Sequence, residues 1–99
     1  MRIVFESKLV GETKDYAFPF SLPVGVTISS AVTTAAVYSG TDASASSLID
    51  GAVSISGATV TQSLTAGTAG VLYDLLCSAT LSDGQLLQLS AYMAVIPAI

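Results

Sequence analysis

The chain has 99 residues, of which 52% are hydrophobic and only 10% charged, a composition that favours one folded core over disorder. It has no histidine, no tryptophan and one cysteine, Cys77, so the commonest metal ligand, the commonest general base and any disulfide within the chain are absent. The net charge is -4 and the three bases, Arg2, Lys8 and Lys14, all fall in the first fifteen positions, so a nucleic-acid partner is not expected: phosphate binding needs several Lys or Arg.

Residues 1–15 hold six of the ten charges and read as an N-terminal arm or edge strand, with residues 16–99 as the body. The opening apolar run is too short for a signal peptide. No stretch approaches the roughly 18 to 20 apolar residues of a membrane helix, so neither export nor a membrane is expected and synthesis is assigned to a reducing cytoplasm. Residues 3–10 form a first extended run and residues 11–15 a polar turn. Tyr16, Phe18 and Phe20 then alternate with small residues, a period of two that places the rings on one face. Pro19 has no N–H to give a ladder, which confines this strand to an edge.

Leu22-Pro23-Val24-Gly25 reads as a turn, and residues 26–38 as a long strand rich in Val, Ile, Thr, Ser and Ala. Its inward face is ambiguous. Ile28, Val32 and Tyr38 share one parity and Ala31, Ala35 and Val37 the other, which a mid-strand bulge reconciles. Residues 39–47 form a polar loop, with Ser46 or Ser47 expected to cap one helical turn closed by Gly51. Residues 52–56 and 58–64 give two short strands around Gly57, and 65–70 another loop.

The final pair is the clearest. Residues 71–81 and 85–96 flank Ser82-Asp83-Gly84, a strong hairpin signal. Tyr73, Leu75, Cys77, Ala79 and Leu81 share one face of the first arm, and Leu87, Leu89, Ala91, Met93 and Val95 one face of the second; these ten are expected to line the core. About seven strands with regular turn signals and no helical period predict an all-β, single antiparallel sandwich of immunoglobulin or fibronectin III kind.

The opposite faces of that hairpin carry Leu72, Leu76, Leu86, Tyr92 and Ile96. In a two-layer sandwich those side chains point away from the core, and clustered exposed apolar surface marks an interface, so these five are the candidate interface residues. The reading predicts a homo-oligomer or a docked partner; the competing arrangement has the N-terminal arm folded over them. Cys77 sits among core residues and reads as an inert small hydrophobe. Asp42, Asp50, Asp74 and Asp83 mostly accompany turn residues, where a carboxylate accepts from nearby backbone N–H groups, and they show no calcium-loop spacing. Tyr73 reads as a core ring with its hydroxyl paired at a corner. No residue pattern points to catalysis, a cofactor or a metal.

Taken in order, Lys14-Asp15-Tyr16 with Phe18 and Phe20, Ser39-Gly40-Thr41-Asp42, residues 48–51, residues 53–57, Val60-Thr61-Gln62, residues 69–73, Leu75-Leu76-Cys77 and Asp83-Gly84 resemble the tailed-phage fiber-tail adaptor family. The likeness spans residues 12–96. It implies a small virion tail protein with an immunoglobulin-like fold. Such a protein forms a ring-like homo-oligomer around the tail, one face on the tail and the other on fibers or tailspikes, and carries out no chemistry. A capsid decoration or head-tail connector protein is the nearest variant. A carbohydrate- or calcium-binding sandwich using loop aspartates with Tyr16, Tyr38 or Tyr92 is the alternative from another class.

Overall fold

The seven extended runs become eight strands, because the first is broken by residues 5–7 into β1 (Arg2–Val4) and β2 (Lys8–Leu9). The computed structural model describes residues 2–97; Met1 of the arm and the aliphatic end Ala98-Ile99 lie outside the described residues. The remaining strands are β3 (Lys14–Pro19), β4 (Ile28–Ser39), β5 (Ile49–Ser56), β6 (Thr59–Leu64), β7 (Leu72–Leu81) and β8 (Leu86–Ile96). A single 3-10 turn, Ala45–Leu48, precedes β5. The fold is all-β.

Two sheets share one core. The larger runs β1-β8-β7-β4, with β2 also on β8, and the smaller runs β3-β6-β5. The expectation of a purely antiparallel architecture is corrected here. Both arm strands pair parallel with β8, Arg2 to Val4 beside Ser90 to Tyr92 and Lys8-Leu9 beside Val95-Ile96, so the larger sheet is mixed. The break between them has a local cause. Phe5 turns inward onto the Tyr16 and Phe18 rings, with centroids 4.9 and 5.1 Å away, and the arm rejoins the sheet only after that detour.

The core follows the pleat. Tyr16 and Phe18 of β3, Val60 and Leu64 of β6, and Tyr73, Leu75, Cys77, Ala79 and Leu81 of β7 are buried with Ala91, Met93 and Val95 of β8. Of the ten residues expected inside from the last hairpin, eight are buried, while Leu87 and Leu89 are half-buried against the core near the open end of β8. The hairpin closes with Leu81 N donating to Gln85 O (2.8 Å) and Gly84 N to Leu81 O (3.0 Å). Gly84 takes φ +90°, the left-handed residue that ends a three-residue loop.

The bulge in β4 exists but sits at the ends of the strand, between Ile28 and Ser30 and again between Val37 and Ser39. Ile28 therefore faces in with Ala31, Thr33, Ala35 and Val37, while Val32 and Tyr38 face out. The predicted serine cap is also corrected. The 3-10 turn starts behind Ser44, two or three residues before the expected cap, and no side chain caps it; Ser47 Oγ instead donates to Ser44 O (2.7 Å). The chain enters β5 directly at Ile49, because Ile49 and Asp50 already pair with Leu64 and Ser63. Gly51 falls at a register shift inside β5. Pro19 ends β3, an edge strand of the smaller sheet, as a residue without an N–H requires.

Candidate docking face on the larger sheet

Because β7 and β8 pair directly, every residue between two core positions projects to the outer face of the larger sheet. Across the pair Leu72 meets Ala94, Asp74 meets Tyr92, Leu76 meets Ser90, Ser78 meets Gln88 and Thr80 meets Leu86. All five candidate interface residues occupy this outer face, and their exposure differs. Leu86 is 60% and Ile96 40% exposed, whereas Leu72, Leu76 and Tyr92 are half-buried.

They do not form one patch. Leu86 and Ile96 lie ten residues apart on β8, about 34 Å at the usual rise, and the row between Leu86 and Leu76 is polar, with Gln88 Nε2 donating to Ser78 Oγ (3.0 Å). At the other end Tyr92, Leu72 and Ile96 gather with residues the sequence reading did not include. Tyr38, 58% exposed on β4, packs edge-on against Tyr92 with ring centroids 4.6 Å apart. Val4 of β1, 79% exposed, pairs with Tyr92, and Leu9 of β2 pairs with Ile96. The sequence signal for Tyr38 was its parity, which the bulges of β4 concealed.

The arm does not cover this face. Its strands lie beside β8 in the plane of the sheet, so they widen the apolar surface instead of folding over it. Asp74, in the row between Ala36 and Tyr92, is the sole charged residue of β4, β7 and β8. A face this neutral presents few charges to desolvate when a partner covers it.

The polar residues elsewhere do structural work. Tyr73 is fully buried in the core; its hydroxyl donates to Asp42 Oδ2 (2.6 Å) and accepts from Thr68 N (2.8 Å), the corner pairing expected of it. The Tyr73 hydroxyl and Ser44 N together hold the Asp42 carboxyl below its ordinary range, while burial, aided by Asp42, pushes the Tyr73 phenol up. Asp83 accepts from Gln85 N (3.1 Å) and Asp50 from Ser63 Oγ (3.3 Å), so three of the four later aspartates serve turns and strand ends. Tyr16 is buried in the core with its hydroxyl on Glu6 O (3.2 Å), which removes it as a sugar-stacking ring. Cys77 is fully buried and burial raises its thiol pKa, the setting of a thiol that does not react.

Lys8 runs against expectation. A lysine is almost never fully buried, yet Lys8 lies between the sheets beside Val95, with Nζ donating to Leu9 O (2.9 Å) and Glu12 O (2.7 Å). Burial lowers its pKa, and Glu12 partly offsets that. Among the described residues no group of three or more His, Cys, Asp or Glu is placed to hold a metal ion, and no helix is long and apolar enough to cross a membrane.

The described residues form two sheets around one core, and the arm leaves an apolar face of the larger sheet uncovered. Residues 8–94 match the family described as podophage GP4 fiber-tail adaptor protein gp77, and the chain belongs to that family. Its role is therefore structural and its place the phage tail. No curated protein matches the chain.

Proposed function

We propose that the protein links fibers or tailspikes to the phage tail, assembling with itself as a ring and taking part in no chemistry. It is made in the host cytoplasm and incorporated into the virion tail. The observation that carries this reading is the outer face of the larger sheet: at one end Tyr92, Leu72 and Ile96 gather with Tyr38, Val4 and Leu9 into an apolar surface that the arm leaves open, and Leu76 and Leu86 lie further along the same face. Covering a fully exposed aliphatic side chain is worth roughly 1.5 to 3 kcal/mol, so a handful of half-exposed ones supplies a useful share of an assembly interface. Small Ser, Thr and Ala side chains elsewhere on the surface lose little rotamer freedom when copies pack side by side.

The strand order supports an immunoglobulin-like reading of the fold. Strands β3-β6-β5 correspond to B, E and D, strands β4-β7-β8 to C, F and G, and the split arm to a first strand that has moved to G, with Tyr73 as the paired corner tyrosine. Residues 1–15 then act as an arm on the edge of a body formed by residues 16–99.

The test is incorporation of purified chain into tails or particles lacking it, followed by fiber attachment. Leu86→Lys and Ile96→Lys change exposed positions and leave the core intact, so both variants are expected to keep the wild-type circular dichroism spectrum while at least one loses incorporation or fiber attachment. Wild-type incorporation and attachment by both variants would remove the docking face from the mechanism.

A further inference from the structure

Three of the four sheet edges are blunted in the ways proteins use to prevent strand addition. The arm edge consists of strands of three and two residues, β3 carries Lys14, Asp15 and Pro19, and β5 is broken by a register shift at Gly51, φ +74°. The fourth edge, β4, has none of these along its middle. It runs twelve residues without a charge or a proline, and its two register shifts lie at its ends, leaving residues 30–37 regular.

The core is also unfinished along β4. On neighbouring β7 the inward residues Tyr73, Leu75, Cys77 and Ala79 are fully buried, but Ala31, Ala35 and Val37 of β4 are only half-buried. A cavity of about 190 Å³ opens between β4 and β5, lined by Ala31, Thr33, Ile49, Val53 and Gln62 among others. Thr33 faces inward and is buried, and its Oγ1 has no hydrogen-bond partner among the described residues. The Cys77 thiol opposite it is near enough to feel the hydroxyl, but the two do not meet hydrogen-bond geometry. A buried hydroxyl without a partner costs free energy that native structures rarely leave uncompensated.

We propose that β4 pairs antiparallel with β4 of a second copy about a two-fold axis at Thr33, joining the two larger sheets into one. In that register Thr33 meets Thr33 of the other copy, Ala31 meets Ala35, Val32 meets Thr34 and Ser30 meets Ala36. Inward residues face inward residues, so the pleat continues across the axis. No side chain in the contact is larger than Val32, and no charge is buried. Side chains directly opposite in an antiparallel pair have Cβ atoms about 5 Å apart, so a turn of Thr33 about χ1, from its enclosed position on the Cys77 side toward the edge, brings the two hydroxyls within reach, and identical hydroxyls can pair because each both donates and accepts. The pair also covers the half-buried Ala31 and Ala35 of both copies. This inference goes beyond the linking role: the contact is closed by its own symmetry and leaves both outer faces free, and a ring built from such pairs has an even number of copies.

The test is native mass spectrometry and sedimentation of the full chain from low to several hundred micromolar. The wild type is expected to give dimers or even-numbered multiples of them. Val32→Lys, at a position 59% exposed, puts a cation into the contact and is expected to weaken dimerisation at least 100-fold with an unchanged circular dichroism spectrum. Thr33→Val removes the hydroxyl at nearly constant shape and is expected to weaken it about tenfold, while Leu86→Lys on the docking face leaves it unchanged. Val32→Cys combined with Thr34→Cys is expected to yield covalent dimers on mild oxidation; native Cys77 is buried and does not contribute. A wild type that stays monomeric throughout, an odd-numbered assembly, a dimer indifferent to Val32→Lys, or one broken by Leu86→Lys instead would each overturn the proposal. Val32 also projects to the outer face, so it is the inward-facing Thr33→Val, which reads the edge, set against Leu86→Lys on β8, which reads the docking face, that lets the two readings fail separately.

Discussion

Gly67 lies where the loop between β6 and β7 crosses the end of the core, and Gly67→Ala tests how tightly that loop is seated. Gly67 has φ +96°, and an added Cβ would stand 2.8 Å from Val95 Cγ2 and 3.1 Å from Leu48 Cδ1. Gly70, three residues on, has a similar φ of +87° with nothing within 4 Å of an added Cβ. Both substitutions carry the backbone cost of a left-handed L-residue, roughly 1 to 2 kcal/mol, and share the same small gain from a stiffer unfolded chain. Only Gly67→Ala adds a steric term. Val95 and Leu48 are both buried, and β-branched Val95 cannot rotate away cheaply, so the loop or the strand must shift at about 1 to 3 kcal/mol.

Gly67→Ala is therefore expected to be less stable than Gly70→Ala by about 2 kcal/mol, or about 10 °C in midpoint for a domain of this size. Thermal and urea unfolding followed by circular dichroism read the difference directly. The same loop supplies Gly70 N to Val95 O (2.9 Å) and Thr68 N to the Tyr73 hydroxyl (2.8 Å), so a shift there also disturbs the end of β8 that carries Ile96. Equal destabilisation by the two alanines would refute the close approach of Gly67 to Val95.

Three further outcomes are expected. The Asp42 carboxyl titrates below its ordinary 3.8 because of the Tyr73 hydroxyl and Ser44 N, so the stability it contributes is complete above that value and is lost as pH falls through the depressed one. Urea midpoints from pH 7 to pH 2 should fall more steeply in the wild type than in Asp42→Asn, and parallel curves would contradict this. Cys77 should resist thiol reagents in the native state and react on unfolding, since burial raises its pKa and closes off access. Phe18→Ala removes a fully buried ring between the sheets and should cost about 3 to 5 kcal/mol by denaturant titration, a large part of the roughly 5 to 15 kcal/mol that holds a typical domain folded.

The β7–β8 hairpin was legible because strict alternation and a Ser-Asp-Gly turn are local signals that agree with each other. Strand β4 was legible as a strand but not in its facing. An extra residue at Ser29 switches parity after Ile28, and only the pairing with β7 reveals where the switch falls. The arm was harder still. Its parallel partner β8 lies more than eighty residues along the chain, and no local pattern encodes such a pairing. Lys8 misleads in the same way: its type predicts exposure, while its position opposite inward-facing Val95 and the two carbonyls that receive its ammonium bury it. The five interface positions followed from parity alone, but their grouping depends on register and on Tyr38 from a strand far away in sequence.

The arm's position decides what the molecule has left to offer. Folded over the outer face, it would have covered Tyr92 and Leu72; paired along β8, it closes one edge of the larger sheet and leaves that face bare. The other edge, β4, remains open for its own reasons of composition. A face and an edge of one sheet point in perpendicular directions, so occupying one does not obstruct the other. The proposed linking role requires a protein to hold more than one neighbour at once, and a sheet with one bare face and one unblunted edge meets that requirement within a single small core.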